Sequence, residues 1–249
     1  MKHDRQAQVL DLLESEGFRT IKQLALKFEV NESTIRRDLY LLEKDQLIER
    51  THGGALPTRG EDKPAYLKEP INQQEKIAIG AAMAERVLDG QTILLDSGTT
   101  TLEVAKRLKG ERITVITNDI RIGYEISRAR SAHLVIIGGE LLPNVHTIWG
   151  VTAVEQIKRL NVDVAIFGAD AVSSEGITNT SSYEIELKQT MLAIAKEAFF
   201  VADSSKFGRE ALFKVFGYEK FTAGITDSYL DPIIAASFPI PIIRVSAKH

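Results

Sequence analysis

Residues 31–39 read NESTIRRDL, two adjacent arginines inside a segment whose apolar residues recur at helical spacing. With Ile35 at the origin of a wheel turning about 100° per residue, Leu39 and Leu42 fall beside it and form a stripe to be buried. Ser33, Arg37, Tyr40 and Lys44 fall on the opposite side, with Arg36 flanking. That face carries hydroxyls and guanidinium forks, which match phosphate oxygens and the O6/N7 edge of guanine. The same residues also allow a plainer reading, in which Glu32 and Arg36 pair across one turn of a solvated helix.

The flanks favour the first reading. Residues 5–16 have helical spacing through Val9, Leu10 and Leu13, and Gly17 ends the run. Thr20 is placed to cap IKQLALKF, EVN is long enough only for a turn, and Asn31 opens a third helix to about Lys44. LIERTHGGAL then reads as a hairpin around a Gly-Gly turn. Helix, turn, second helix and hairpin make a winged helix-turn-helix over residues 1–56. Its second helix would present Ser33, Thr34, Arg36, Arg37 and Tyr40 to a major groove, with its first amides facing phosphate. Arg50, His52, Gly53 and Gly54 would form the wing.

Composition sets bounds on this. The net charge is −3, and residues 1–59 hold ten Lys+Arg against ten Asp+Glu, so any polyanion must be met by placement of charge and not by its amount. Cysteine is absent, which removes disulfide and thiolate chemistry. There is no apolar run of membrane-spanning length and no export signal, so a cytoplasmic protein without a membrane partner is expected. Residues 57–72 hold three of the seven prolines and little periodicity, which predicts a linker there.

From 73 to 249 the pattern changes. TILLD, ITVIT, HLVII, DVAIFG, AFFVAD, TAGIT and IPIIRV are unbroken apolar runs separated by helical stretches. Strands buried on both faces read this way, so an α/β domain with a mainly parallel sheet is expected. In TILLDSGTTTLEVAKRL a Gly/Ser/Thr turn joins strand to helix, and Thr100 with Glu103 has capping-box spacing. The amides of Gly98 to Thr101, with the hydroxyls of Ser97, Thr99, Thr100 and Thr101, would face the cleft where open α/β sheets bind anions. A hydroxyl-rich cap without a ligand explains the turn equally well. No Walker loop and no G-x-G-x-x-G is present, and no metal-ligand spacing, so neither cofactor nor metal is expected. TND, GGE, GAD and DSSKFG end the next runs, and five such polar strand ends on one sheet suggest a pocket. Trp149, with His146 nearby, can stack on a sugar ring or simply pack.

VNESTIRRDLYLLEKDQLIERTHGGA (30–55) resembles the signature of the DeoR family of bacterial transcriptional regulators, and the later motifs extend the resemblance over nearly the whole chain. It implies a DNA-binding repressor with Arg36 and Arg37 as principal contacts. It also implies a C-terminal domain similar to ribose-5-phosphate isomerase A that binds a phosphorylated sugar or related metabolite. Carried over, Ser97 to Thr101 hold the phosphate, while Asp96, Asn118, Gly139, Asp170 and Lys206 line the pocket. Operator double-stranded DNA and a second copy of the chain, as dimer or tetramer, are the implied partners. Effector binding is expected to act through 57–72 on the spacing of paired DNA-binding units. An isomerase-like enzyme is the rival reading. Counting back from Lys206, its general-base glutamate falls on Lys188 and an earlier lysine on Asn179, although Glu184 and Glu186 lie close. Lys188 is left between binding an anionic group and serving as a solvated helix lysine.

Overall fold

The computed structural model describes residues 2–51, 53–58, 64–108, 112–129, 132–142 and 145–247. The chain divides into two compact units, Met1–Ile71 and Asn72–His249.

In the first unit, α1 (Lys2–Glu16), the short strand β1 (Arg19–Thr20), α2 (Ile21–Lys27) and α3 (Glu32–Lys44) precede a hairpin of β2 (Ile48–Thr51) and β3 (Gly54–Pro57). Thr20 and Gln23 close a capping box at the start of α2, so two orphan donors are satisfied reciprocally. Asn31 opens α3 from an extended conformation, but its side chain makes no cap bond. Ile35, Leu39 and Leu42 are buried with Leu10, Leu13 and Leu24 in one core, as the wheel requires. The sheet runs β1-β3-β2, all antiparallel. A Cβ on Gly54 would lie 2.4 Å from the Arg19 carbonyl oxygen and 2.6 Å from the Phe18 ring, so only glycine lets the wing lie against β1.

Of the segment expected as a linker, the described residues up to Ile71 belong to this unit. Ala65–Lys68 forms a helical turn, α4; Leu67 is fully buried in the first unit's core, and Ile71 packs against it. One turn is too short to show periodicity, which is why composition pointed to a linker.

The second unit is a three-layer α/β structure. It runs α5 (Gln73–Ala84), β4 (Thr92–Leu95), α6 (Thr99–Ala105), β5 (Thr114–Thr117), α7 (Ile120–Ser127), β6 (His133–Ile136), β7 (Glu140–Leu141) and β8 (Ile148–Trp149). It continues with α8 (Val151–Ile157), β9 (Val162–Gly168), β10 (Ala171–Ser173), β11 (Gly176–Asn179), α9 (Ile185–Ala193), β12 (Ala195–Val201), β13 (Phe213–Phe216), β14 (Ala223–Asp227), α10 (Pro232–Ala236) and β15 (Ile242–Val245). The seven apolar runs are the seven strands of one all-parallel sheet, ordered β15-β14-β12-β9-β4-β5-β6. Alternate residues enter different cores: Leu94, Phe167 and Phe200 pack with α8 and α9, whereas Ile93, Leu95, Ile166 and Val201 pack with α5, α6 and α7. Both faces are apolar, which removes the alternation of a half-buried strand. Two small antiparallel elements were not foreseen, the sheet β10-β11-β13 and the ribbon β7-β8.

From β4 the chain winds outward through β5 to β6, then returns to the other side of β4 with β9 and continues to β15. The order therefore reverses between β4 and β9. In open α/β sheets the carboxyl ends of the strands that flank such a reversal are where a ligand crevice lies.

Candidate functional site

In the first unit, Ser33, Arg36, Arg37, Tyr40 and Lys44 are exposed on one side of α3, and Thr34 is half-buried beside them. Tyr40 is 56% exposed, a large exposure for an aromatic side chain. Arg36 pairs with Glu32 at 2.8 Å, the pairing that the plainer reading anticipates. The Arg37 guanidinium has no hydrogen bond or ion pair among the described residues. On the wing, Arg50 lies 3.5 Å from Glu43, and its amide donates to the same carboxylate. Gly53, at φ +117, forms the exposed tip, and His52 lies outside the described residues.

Behind this face is a contact that sequence reading passed over. Asp38, 1% exposed, accepts from Arg5 Nε at 2.6 Å and from Gln6 Nε2 at 3.2 Å. These bonds fix α3 against α1 and thereby set the roll of its arginine face. The wheel held the clue, since Asp38 falls within the Ile35–Leu39–Leu42 stripe and an acid there must find a partner.

In the second unit the crevice is built from the turns after β4 and β9. The Asp96 amide donates to the Ile166 carbonyl at 3.0 Å, and the Gly168 amide donates to Asp96 Oδ2 at 3.3 Å. A Cβ on Gly98 would sit 3.9 Å from the Gly168 Cα, so the two backbones nearly touch. Helix α6 starts at Thr99, with Gly98 at its N-cap and no side-chain cap. The expected Thr100–Glu103 box does not form, because Glu103 is spent on Lys106, Arg107 and Gln73. The first amides of α6, from Thr99 to Thr101, have no intrahelical acceptor. Ser97 Oγ is engaged with Asp119 at 2.9 Å and with Thr147 Oγ1 at 2.6 Å. Thr101 Oγ1 donates back to Gly98 at 3.0 Å, and Thr100 is buried.

Lys188 reaches from α9 to the floor of this turn. It is 3% exposed, forms a short ion pair with Asp96 and lies 3.9 Å from Glu184. Burial alone would push its ammonium down, but Asp96, Glu184 and Asp170 outweigh burial and raise it above the usual lysine range. Burial pushes the Asp96 carboxyl up, while Lys188 and the Gly168 and Ser97 amides pull against it. Asp170 also accepts from Thr180 at 3.3 Å. Two buried oxygens, Asp96 Oδ1 and Asn118 Oδ1, have no hydrogen-bond partner among the described residues.

The strand order thus gathers Asp96 to Thr101, Asn118, Asp170 and Lys188 at the carboxyl ends of β4, β5 and β9. Gly139 follows the edge strand β6, and a Cβ there would lie 2.4 Å from the Trp149 carbonyl oxygen, so the β7-β8 ribbon already accounts for this glycine. Lys206 lies after β12 in a single 3-10 turn, and its ammonium has no hydrogen bond or ion pair among the described residues. Glu186 is exposed, and Asn179 lies in β11. Trp149 packs edge-on to Tyr183 at 5.1 Å. Asp119, Thr147 and Glu184 complete the cluster; Asp119 lies in the TND motif and Glu184 close to the position carried over from the isomerase's base, whereas the sequence assigns Thr147 no role.

Comparison with known proteins gives two family matches. Residues 5–58 match the DeoR-like helix-turn-helix domain, and residues 71–228 match the DeoR C-terminal sensor domain. The chain is 35% identical over 236 residues to the transcriptional repressor AccR of Agrobacterium fabrum, covering 93% of this chain and 92% of that protein. It is 32% identical over 237 residues to the lactose phosphotransferase system repressor of Lactococcus lactis, covering 93% of each. Ribose 5-phosphate isomerase A from Methanocaldococcus jannaschii superposes with a TM-score of 0.40 at 18% identity over 55% of each chain.

Proposed function

Because this chain belongs to the DeoR family of transcriptional regulators, we propose that it represses a carbohydrate-metabolism operon and leaves its operator when a phosphorylated sugar binds the second unit. The observation that carries this reading is the crevice at the reversal of strand order. It combines unengaged α6 amides, which suit a phosphate, with two buried unpaired acceptor oxygens, which suit sugar hydroxyls.

The roles divide accordingly. Amides of Gly98 to Thr101 and the Thr99 hydroxyl take the phosphate, with Lys206 as a neighbouring cation. Asp96 and Asn118 take hydroxyls. Lys188, already committed to three carboxylates, holds Asp96 in place. In the first unit, Ser33, Thr34, Arg37 and Tyr40 read the major groove, Arg36 joins them by leaving Glu32, and Arg50 and Gly53 approach the backbone. The repressor works as a homo-oligomer on paired half-sites. Release follows from tighter effector binding to the operator-free state, since only that difference shifts the population. The relatives named as repressors support this sign.

A binding role is favoured over isomerisation. Lys188 occupies the position onto which the isomerase's base is carried, and its surroundings hold it protonated, the opposite of what a general base needs. The test is fluorescence anisotropy of labelled DNA from upstream of the protein's own gene, at two salt concentrations, with a panel of sugar phosphates and their dephosphorylated forms. Salt-dependent binding released by one phosphosugar alone is expected. Turnover of ribose 5-phosphate without specific DNA binding would overturn the reading.

A further inference from the structure

The chain passes from the first unit to the second between Ile71 and Asn72. Ile71 packs on the first unit's core, while the next two residues are tied by their side chains to two different segments of the second unit. Asn72 Nδ2 donates to Asp203 Oδ1 at 2.8 Å and to Ser205 Oγ at 3.2 Å, in the turn that carries Lys206. Gln73 Nε2 donates to Glu103 Oε1 at 2.9 Å, on the helix that starts at Thr99.

Neither bond is explained by local structure. Asn72 stands at the N-cap of α5, where an asparagine side chain ordinarily caps its own helix, yet it makes no such bond. It adopts a left-handed φ of +52 and sends its amide to a partner 131 residues away. Asp203 in turn bonds the Ser205 amide at 3.1 Å, and Asp227 bonds the Ser204 amide at 2.7 Å. Asn72 therefore reads the position of a turn held by these carboxylate bonds together with its own backbone bonds, from the Lys206 amide to Asp203 and from the Phe207 amide to Ser204. Further along α5, a Cβ on Gly80 would lie 2.6 Å from the Glu103 carbonyl carbon, so α5 and α6 are packed backbone to backbone.

We infer that Asn72 and Gln73 are positioning residues that couple the crevice to the DNA-binding unit, through the Asp203–Lys206 turn and helix α6 respectively. The inference rests on the regulator reading above and names how its two halves communicate. An effector touching Lys206 or the Thr99 end of α6 displaces the acceptors of these two side chains, and the displacement reaches Ile71 within one or two residues.

Coupling is reciprocal, so operator DNA must be felt in the crevice without any sugar phosphate present. Amide hydrogen exchange of the full-length protein, with and without operator duplex, tests this. In the wild type, operator should slow α3 and also change exchange at 98–101 and 204–207, by about fivefold or more. Asn72→Gly keeps the left-handed backbone and removes the amide; it should abolish the change at 204–207. Gln73→Ala should abolish it at 98–101. Both variants should keep the α3 footprint and, without DNA, wild-type exchange in β4 and β9, which excludes a folding defect. An α3 footprint with an unresponsive crevice, or variants that respond like the wild type, would overturn the inference and leave the regulator reading standing. Absence of any α3 footprint would refute that reading, and the inference with it.

Discussion

Lys188→Met removes the ammonium paired with a fully buried carboxylate, Asp96. Asp96 is 0% exposed and Lys188 3%, so water cannot take over the lost partner. Breaking a buried pair from one side costs about 3–5 kcal/mol, because the remaining charge stays desolvated. A unit of this size shifts by about 2–4 °C per kcal/mol, so its melting transition should fall by roughly 6–20 °C. The deficit should also depend on pH. Without Lys188, burial raises the folded Asp96 pKa above its unfolded value with no ammonium to oppose it. The neutral carboxyl is then the tolerated form, the penalty is smallest below the ordinary carboxylate range, and it grows as pH rises through the folded pKa. The wild-type ion pair behaves differently. Lys188 is raised above the usual lysine range, so its contribution is complete at neutral pH and fades only in strong alkali. Urea melts of wild type, Lys188→Met and the double variant Asp96→Asn/Lys188→Met at pH 5 and pH 8 would measure both effects, with the double variant recovering most of the loss. A Lys188→Met protein within about 1 kcal/mol of wild type at pH 8, with no pH trend, would refute the buried pair.

Arg37→Ala should weaken operator binding about tenfold or more while sugar-phosphate binding is unchanged; Arg36→Ala should cost less, because Arg36 must first leave Glu32. Anisotropy titrations at several salt concentrations decide this, and equal losses would show that the two arginines are used alike. Thr99→Asp should abolish release by phosphosugar while leaving operator affinity intact, read in the same assay with effector added; a retained response would move the phosphate elsewhere. Gly54→Ala forces a methyl group onto the Arg19 carbonyl oxygen and the Phe18 ring, at about 1–3 kcal/mol. Its signature is lost operator affinity with an unshifted melting transition of the second unit, checked by anisotropy and calorimetry together.

The parts legible in the sequence were those with one dominant periodic signal. Seven apolar runs gave seven parallel strands because burial on both faces leaves no alternation to misread. The stripe of α3 was equally plain, since Ile35, Leu39 and Leu42 recur at the helical period. Strands β10, β11 and β13 were missed because three- and four-residue pieces carry no period, and their pairing is decided by partners far along the chain. The capping box at Thr100 failed for a related reason: the spacing was right, but Glu103 had stronger partners in Arg107 and Lys106. Lys188 was read as lying between a ligand contact and a solvated residue, and its burial beside Asp96 removes the solvated reading. Asn72 gave no signal, since nothing in its neighbourhood points to Asp203.

The strength of these contacts bounds the coupling they can carry. A hydrogen bond to a charged group contributes about 1.5–3 kcal/mol net, and a hundredfold release of operator needs about 2.8 kcal/mol. One such bond, made in one state and lost in the other, is enough; two would exceed the 1–3 kcal/mol typical of coupled sites. The packing indicates which bond varies. Gly80 lies against the backbone of Glu103, so the contact between α5 and α6 limits how far the Gln73–Glu103 distance changes between states. The Asp203–Lys206 turn has its own backbone bonds and side-chain bonds to Asp203 and Asp227, without a comparable glycine contact against α5. Asn72→Gly should therefore reduce the effector-dependent change in operator affinity more than Gln73→Ala does, measured as the ratio of Kd with and without the releasing phosphosugar. The reverse order would mean that α6 slides on α5 despite the glycine contact, and would make Gln73 the principal link.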